Sequence, residues 1–533
     1  MRASPPPLPN AKHPRFATMA SNPSVLPFLI LLSLASIVSA SLPVTSPRPQ
    51  PIDKLSRKSF PPHFMFGAGS SAHQVEGAYN IDGKGMSSWD NFTATFPDRI
   101  SNSSNGKVAT DFYHRYKEDI QLMKDTNLDA FRFSISWTRV IPTGKYQGGK
   151  GVNPLGIKYY NDLINSLIAG GITPFVVIFH WDPPQALQDE YGGLLSSKFI
   201  ADYVDFARLC FKEFGDRVKF WTTFNEPWSY SVYGYDLGQF APGRCSPFVN
   251  SACVGGNSST EPYQITHNLL LSHAAAVRLY KTEFQPTQKG QIGMTNICFW
   301  NEPYSNSTAD QEAAQRGFDF MCGWLMHPIT YGDYPQSMKT LVGNRLPKFT
   351  PTQSQSLKGS YDFYGVNYYT GWFVQNAAPA SPDRLRYYTD PNVDYTYERN
   401  GVYIGSPTFL DILYVYPEGM RKLMNYLKAN YNNPPIYITE NGICEINQPI
   451  PLKDSLNDTW RINWLSVHLN MLSKIIKEDK VDVRGYFPWS FMDDFEWSSG
   501  YTERFGLHFV DFVHNLTRYP KESAKYYASI LAK

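Results

Sequence analysis

The stretch Phe220-Trp221-Thr222-Thr223-Phe224-Asn225-Glu226-Pro227 ends a short apolar run with a glutamate beside an asparagine. A second stretch, Ile436-Tyr437-Ile438-Thr439-Glu440-Asn441-Gly442, repeats this arrangement much later in the chain. Both runs have the length and composition of a buried β-strand. A fold that brought their ends together would hold two facing carboxyl groups. One carboxyl as acid and the other as nucleophile is the minimal equipment for cleaving a glycosidic bond.

The chain alternates between strand-like runs and helical patterns, which indicates an α/β fold. Eight β-then-α units predict a single (β/α)8 barrel with extended loops at its C-terminal rim. The alternative is a doubly wound open sheet, but no glycine-rich phosphate loop follows the first run. Six further runs resemble the two above, at Phe64–Ala68, Ala130–Ser136, Thr173–Phe179, Gln291–Phe299, Phe363–Val366 and Arg484–Phe487. Helical patterns lie between runs at Tyr113–Asp125, Gly156–Ala169, Lys198–Phe214 and Asp458–Lys477.

Polar and aromatic residues follow the predicted strands where each strand ends. Each of them alone is equally well explained as a helix cap or a turn former. Because reactive groups of a barrel collect at the carboxyl ends of its strands, the whole set predicts a site at that rim. These residues are His180-Trp181, Asn225-Glu226, Asn367-Tyr368-Tyr369, Glu440-Asn441 and Trp489.

The first forty residues have the features of a secretory signal peptide. Lys12 and Arg15 precede an apolar run over residues 25–38, and the small residues Ser39 and Ala40 follow it. The run is shorter than the roughly 20 residues of a membrane span, and Met19 is an alternative start. We therefore predict a signal peptide at 1–40, a proline-rich segment at 41–59 and one (β/α)8 barrel domain at 60–533, with no membrane span after cleavage.

Charge and cysteine content narrow the class of partner. The net charge is +2 with both signs mixed along the chain, which argues against a nucleic-acid partner. The six cysteines show no zinc-ligand spacing, so we predict no metal. Cys245 and Cys253 flank a short polar loop and are a plausible disulfide, whereas Cys210 has the pattern of a buried thiol. The pattern leaves the oligomeric state open.

Six Asn-x-Ser/Thr sequons behind a signal peptide predict a glycosylated protein of the secretory pathway, in the extracellular space or apoplast or in the vacuole. They lie at Asn91, Asn102, Asn257, Asn306, Asn457 and Asn515.

From residue 60 to residue 533 the chain resembles glycoside hydrolase family 1, and within it the plant β-glucosidases. The resemblance implies the same barrel that the periodicity predicts. The segments that carry it are Gly69–Gly77, Phe131–Trp137, Phe179–Asp182, Thr222–Pro227, Ile438–Gly442 and Phe495–Trp497.

The resemblance implies a role for each site residue. Glu226 would be the acid/base and Glu440 the nucleophile, with Arg132 and Tyr369 keeping Glu440 ionised. The reaction would be retaining hydrolysis of a small-molecule plant β-glucoside through a covalent glycosyl-enzyme, without a cofactor. The residues expected to hold the sugar are Gln74, His180, Asn225, Glu496, the stacking Trp489 and Trp497, with Asn367 near the acid/base.

Four positions bear on the substrate. Related thioglucosidases carry glutamine in place of Glu226, so oxygen glycosides are expected. Phosphoglycosidase members carry serine in place of Glu496, so the sugar should be unphosphorylated. Ile412 stands in the predicted aglycone pocket where many plant members have tryptophan, which favours a bulky or non-planar aglycone. Asp494 stands where asparagine is common, and it could add charge near Glu496 or simply face a helix.

The sequence leaves several alternatives open. A diglycosidase or a transglycosidase of the same family would use the same catalytic pair. Neither the aglycone nor the preference for glucose over another sugar follows from the sequence. A catalytically silent barrel used for binding is a third reading, but both glutamates and the sugar-holding set are retained.

Overall fold

The computed structural model describes residues 55–532, and eight parallel strands closed into a barrel form its centre. Each predicted run forms one strand, so the (β/α)8 prediction is confirmed and the open sheet is excluded. The strands are β1 Met65–Gly69, β2 Ala130–Ser134, β3 Thr173–Phe179, β4 Phe220–Asn225, β5 Gln291–Ile297, β6 Phe363–Asn367, β7 Ile436–Asn441 and β8 Val483–Pro488.

Each strand pairs with its sequence neighbours all the way round, and β1 closes the barrel by pairing with both β2 and β8. Because all eight strands are parallel, their carboxyl ends meet at one rim. Glu226 follows directly after β4, and Glu440 lies near the end of β7. The topology therefore brings the two glutamates to the same end of the barrel.

Helices surround the barrel, and the four predicted helical patterns each form one of them. Those four run over Phe112–Asp125, Pro154–Ala169, Lys198–Phe214 and Thr459–Lys477. Other helices are Ala72–Val75, Ser88–Thr95, Trp137–Val140, Gln185–Tyr191, Pro227–Tyr235, Glu261–Leu279, Gln285–Gln288, Thr308–Phe318, Trp324–Tyr331, Gln336–Val342, Pro351–Leu357, Pro417–Asn430, Leu452–Leu456 and Glu522–Ile530.

Helix Pro154–Ala169 shows how local sequence sets an element. Asn153 precedes it, and the Asn153 side chain accepts a hydrogen bond from the amide of Leu155. Proline at the first helical position loses no hydrogen bond there. The buried residues of this helix recur at helical spacing and pack inward: Gly156, Tyr159, Tyr160, Leu163, Ile164 and Leu167.

The loops that follow the later strands carry small sheets, as the predicted extended loops require. A three-stranded sheet combines Trp300–Pro303, Gly371–Asn376 and Val393–Thr396. Paired short strands are Glu398–Arg399 with Val402–Tyr403, Ser406–Pro407 with Tyr414–Val415, Glu445–Ile446 with Glu503–Arg504, and His508–Asp511 with Thr517–Pro520.

A cluster of aromatic side chains fills the barrel interior near the amino ends of the strands. Phe175 lies at its centre, with ring centroids 5.1 Å from Phe487 and 5.5 Å from both Phe363 and Tyr437. All four are buried, and truncating such a phenylalanine to alanine costs about 3–5 kcal/mol. The packed interior leaves the carboxyl-end rim as the place for a site.

Residues 55–59 connect the chain to the barrel. The guanidinium of Arg57 donates to Asp129 at 2.8 Å and to the backbone carbonyls of Asn127 and Leu531. The predicted signal peptide at 1–40, and residues 41–54 of the proline-rich segment, lie outside the described residues. Among the helices between residues 55 and 532, none has the length and apolar character needed to cross a membrane.

Two disulfides are present within the described part of the chain. Cys245 is bonded to Cys253, the pair singled out from the sequence, and Cys298 is bonded to Cys322, a pair the sequence did not suggest. Cys298 follows β5 and Cys322 lies in the helical region after it, so the pairing depends on tertiary structure. Cys210 is a buried free thiol, as its helical pattern predicts.

Candidate active site

The turn after β4 sets the position of Glu226. Glu226 has a φ of 42° and a ψ of 65°, in the left-handed region that non-glycine residues rarely occupy. Pro227 then begins helix Pro227–Tyr235 at the first helical position. Backbone strain of this kind costs about 1–3 kcal/mol and clusters at functional sites.

Glu440 is held by a cation and a phenol. Arg132 Nη1 donates to Glu440 Oε1 at 2.7 Å, and the Tyr369 hydroxyl donates to Oε2 at 2.8 Å. Arg132 comes from β2, and its side chain is fully buried. Burial is the largest influence and leaves the pKa of Glu440 above its usual value, although the Arg132 charge and the two hydrogen bonds lower it. The bonded guanidinium favours the ionised form of Glu440.

Glu226 has only neutral hydrogen-bond donors. Ser229 Oγ donates to Glu226 Oε2 at 2.6 Å, and Asn367 Nδ2 donates to Oε1 at 2.6 Å. Burial, followed by the nearby charge of Glu440, raises the pKa of Glu226 to about 8. Glu226 is therefore protonated at neutral pH and can give up a proton.

A chain of hydrogen bonds joins the two carboxyl groups through Asn225. Its Oδ1 accepts from Arg132 Nη2 at 2.6 Å and from Asn367 Nδ2 at 3.2 Å. Arg132 also bonds Glu440, and Asn367 also bonds Glu226. Arg132 holds Glu440, Asn367 holds Glu226, and Asn225 accepts hydrogen bonds from both Arg132 and Asn367. The two glutamates therefore belong to one continuous hydrogen-bond network.

His180 extends this network to one wall of the site. Asn225 Nδ2 lies 3.0 Å from His180 Nε2, and burial keeps the pKa of His180 well below its usual value. The neutral ring accepts the amide proton at Nε2 and carries its own proton on Nδ1. The Nδ1 atom is buried without a hydrogen-bond partner.

Tryptophans form the apolar wall. The ring centroids of Trp489 and Trp497 each lie 6.0 Å from that of His180 with nearly parallel planes. Trp497 also packs 4.7 Å from Trp181, whose indole N–H donates to the backbone carbonyl of Asn225. Such faces suit the C–H side of a pyranose ring.

Gln74 reaches the segment that carries Glu496. Its Nε2 lies 3.2 Å from Glu496 Oε2 and 3.2 Å from Asp494 Oδ1, and its Oε1 accepts from Ser71 Oγ at 2.7 Å. The sequence left open whether Asp494 lies near Glu496 or faces a helix. The Asp494 carboxyl lies near Glu496, because both accept from the same Gln74 amide.

Ile412 lies beside the sugar-holding residues. It is partly buried against an apolar cluster that includes Trp489, Leu413 and Phe505, and Tyr369 packs against the same cluster. The predicted aglycone position is therefore adjacent to the residues around Glu440.

Sequence reasoning missed Ser229, which positions Glu226. Ser229 carries no motif, because its bond to Glu226 depends on the first helical turn after Pro227. Asn441 is within the quoted motif, and it accepts from Trp464 Nε1 at 3.0 Å and from the Tyr486 hydroxyl at 2.7 Å. Gly442 permits close packing, since a Cβ there would lie 2.0 Å from the Trp489 carbonyl oxygen.

The family model described as glycosyl hydrolase family 1 matches residues 56–533. β-Glucosidase 12 of Oryza sativa subsp. indica is 50% identical over 506 residues, which cover 95% of this chain and 98% of that protein. Furcatin hydrolase of Viburnum furcatum is 52% identical over 481 residues, covering 90% and 88%. Raucaffricine-O-β-D-glucosidase of Rauvolfia serpentina is 51% identical over 492 residues, covering 88% and 91%.

Solved structures agree with these relatives. The crystal structure of a rice β-glucosidase superposes with a TM-score of 0.88 at 47% identity, covering 90% of this chain and all of that one. A family 1 β-glucosidase from the fungus Humicola insolens, in complex with glucose, gives a TM-score of 0.85 at 40% identity, covering 89% and 98%.

Proposed function

The chain belongs to glycosyl hydrolase family 1, and from this premise we propose that it is a retaining β-glucosidase acting on small-molecule plant O-glycosides. The observation that carries the proposal is the unequal surroundings of the two buried glutamates. Glu440 is bonded to a guanidinium, whereas Glu226 has neutral donors and a pKa raised to about 8. One carboxylate and one carboxylic acid at the same pH are what glycoside cleavage requires.

In the first step Glu440 attacks the anomeric carbon, and an ester bond forms there as the bond to the leaving oxygen breaks. Glu226 gives its proton to that oxygen, so the leaving group departs as a neutral alcohol. The charge of Glu440 is one cause of the raised pKa of Glu226, and esterification removes that charge. The pKa of Glu226 should therefore fall in the glycosyl-enzyme. Glu226, now ionised, therefore becomes a better-suited base for the second step.

In the second step Glu226 takes a proton from water as the water oxygen bonds to the anomeric carbon. The ester bond breaks, and Glu440 returns as a carboxylate. Two displacements at one carbon give a product with the starting anomeric configuration. The water is the only co-reactant, so the steps balance without a cofactor.

Three residues define the proposed substrate class. Glutamate at 226 supports oxygen rather than sulfur glycosides, because oxygen leaving groups need the proton. Glutamate at 496 would repel a sugar phosphate, which supports an unphosphorylated sugar. Ile412 offers an aliphatic surface instead of a flat ring, and a bulky or non-planar aglycone fits that surface. Two relatives in the comparison are named for distinct glycosides, which is consistent with an aglycone-selective enzyme.

The test replaces each glutamate with glutamine and measures hydrolysis of phenyl β-D-glucoside. We expect Glu226→Gln to lower kcat by about 10²–10⁴-fold, the usual contribution of a general acid. Glu440→Gln should lower it further, because no ester can form. Glu302→Gln is the matched control, since Glu302 bonds Trp300 and Lys422 away from the pair. Full activity of either active-site variant would refute the assignment.

Stereochemistry and aglycone choice are tested separately. Proton NMR of the first-formed sugar should show the β-anomer, and an α-anomer would exclude a nucleophilic Glu440. A hydrolysis screen should hold glucose constant and vary the aglycone, with cellobiose and one disaccharide glycoside included. Release of an intact disaccharide would favour a diglycosidase, and transfer to an added alcohol in preference to water would favour a transglycosidase.

We further propose that the protein enters the secretory pathway and is glycosylated, with the apoplast or vacuole as its destination. The two disulfides suit an oxidising compartment. Five of the six sequon asparagines are exposed: Asn102, Asn257, Asn306, Asn457 and Asn515. Asn91 is half-buried in helix Ser88–Thr95. A fluorescent fusion that stayed in the cytosol would refute the proposal.

A further inference from the structure

Asp493 and Asp494 are adjacent and buried, but their surroundings differ sharply. Asp493 accepts from two cations, Lys521 Nζ at 2.9 Å and Arg504 Nη1 at 2.5 Å, and also from the amides of Gly506 and Val510. Asp494 accepts from the Gln74 amide at 3.2 Å and lies beside the Ser490 hydroxyl and the Glu496 carboxyl, none of which carries a positive charge. The negative charge of an ionised Asp493 is therefore balanced by two cations, whereas a negative charge on Asp494 would have no such partner.

The same Gln74 amide also donates a hydrogen bond to Glu496, which lies two residues beyond Asp494 in the chain. No lysine, arginine or histidine nitrogen between residues 55 and 532 lies within ion-pair distance of Asp494 or Glu496. Two carboxyl groups that share one amide and no cation cannot both be charged at low cost. One proton must therefore be held between them.

Burial decides which carboxyl holds the proton. Asp494 is 2% exposed, whereas Glu496 is only partly buried and lies at the sugar-holding rim. Charged groups facing Asp494 are Asp493 on its own segment and Glu440 from β7, and Tyr501 lies nearby. Glu496 faces Glu503 and Glu440. Carboxyl groups face both residues, so the deeper burial of Asp494 is what favours the proton there.

We propose that Asp494 is a positioning residue that stays protonated in the working enzyme and donates a hydrogen bond to Glu496. Glu496 then keeps an anionic oxygen to accept from a hydroxyl of the bound sugar. The inference rests on the proposed function for the part played by Glu496. Burial raises the pKa of both carboxyl groups well above their usual values, which agrees with one proton held by the pair.

An asparagine at this position can make the same bond without titrating. Its amide N–H would donate to Glu496 at every pH. In the natural chain the bond is lost when Asp494 ionises, since two facing carboxylates then repel each other. Aspartate therefore makes sugar affinity dependent on pH, and asparagine does not.

The experiment measures the inhibition constant of glucose and the KM of phenyl β-D-glucoside between pH 5 and pH 10. We compare the natural enzyme with Asp494→Asn and Asp494→Leu. The natural enzyme should lose glucose affinity on the alkaline side, and the ratio of its inhibition constant to that of Asp494→Asn should grow with pH. Asp494→Leu should bind glucose about tenfold or more weakly at every pH, because its donor is absent. Parallel profiles for the natural enzyme and Asp494→Asn would overturn the proposal.

Thermal unfolding supplies a readout that needs no substrate. An acid whose pKa is raised by folding costs stability as the pH rises from its unfolded pKa of about 4 to its folded pKa. Asp494→Asn lacks this cost, so its Tm should rise relative to the natural enzyme over that range. A constant Tm difference across the range would refute a protonated Asp494 even if the chain hydrolysed no glucoside. Hydrolysis without these shifts would refute the inference and leave the proposed function intact.

Discussion

Replacing Ser229 with alanine should move the alkaline limit of activity to higher pH. Ser229 Oγ donates to Glu226 Oε2 at 2.6 Å, and both residues are buried. A hydrogen bond to a charged acceptor is worth about 1.5–3 kcal/mol, and one pKa unit corresponds to about 1.4 kcal/mol. Because the bond stabilises the ionised form, its loss should raise the pKa of Glu226 by about one to two units.

The sign of the effect follows from the role of the proton. In the proposed mechanism protonated Glu226 is the acid, so kcat/KM should be retained below its pKa, about 8, and should decline above it. A higher pKa moves that decline to higher pH. The assay is the pH dependence of kcat/KM on phenyl β-D-glucoside, whose leaving group needs a proton. Ser231→Ala is the matched control, because Ser231 lies on the same helix and bonds Thr266 instead.

Two results would refute this reasoning. An unchanged or lowered alkaline limit in Ser229→Ala would show that the Ser229 bond does not favour the carboxylate. An equal shift in Ser231→Ala would show that the helix as a whole, and not this one bond, sets the acidity of Glu226.

Two further substitutions and one glycan-mapping measurement test other parts of the structure. Tyr369→Phe removes a 2.8 Å bond to Glu440, so the acidic limit of kcat/KM should rise by about one to two pH units. An unmoved acidic limit would deny that Tyr369 keeps Glu440 ionised. Ile412→Trp should raise kcat/KM for cellobiose relative to a glucoside of a bulky non-planar alcohol, and an unchanged ratio would place the aglycone elsewhere. Mass spectrometry of the secreted protein should find glycans at the five exposed sequons and none at Asn91, because Thr93 of that sequon is buried. An occupied Asn91 with five empty sites would contradict this expectation.

The fold was largely predictable because each barrel strand is short and apolar and ends at a change of composition. Their bounds differ from prediction by two residues at most at either end. Strand β2, for example, ends at Ser134 instead of Ser136, although the Ile135 amide still donates to the Val177 carbonyl of β3. The second disulfide was not predictable. Cys298 and Cys322 become neighbours only once β5 and the helical region after it have packed.

The sequence motifs singled out Glu226, Glu440 and Arg132, and the structure brings these residues together. The contacts that hold them could not be predicted. Contacts such as Ser229 to Glu226 depend on a left-handed turn and on Pro227, which no periodicity reveals. Similarly, the partner of Asp494 is fixed by the helix that carries Gln74, far away in sequence.

The distribution of charge explains why four carboxyl groups can share one site. The four carboxyl groups are Glu226, Glu440, Asp494 and Glu496. Among residues 55–532, only Arg132 forms an ion pair with any of them, and its partner is Glu440. Buried carboxylates without a cation bind protons, so Glu226 holds one as the acid, and Asp494 would hold another toward Glu496. In the proposed mechanism the single buried guanidinium therefore favours Glu440 as the nucleophile and leaves the remaining carboxyl groups to give or share a proton. Moving that cation from Glu440 to Glu226 would exchange the preferred ionisation of the pair, so the proposal assigns the choice between acid and nucleophile to Arg132.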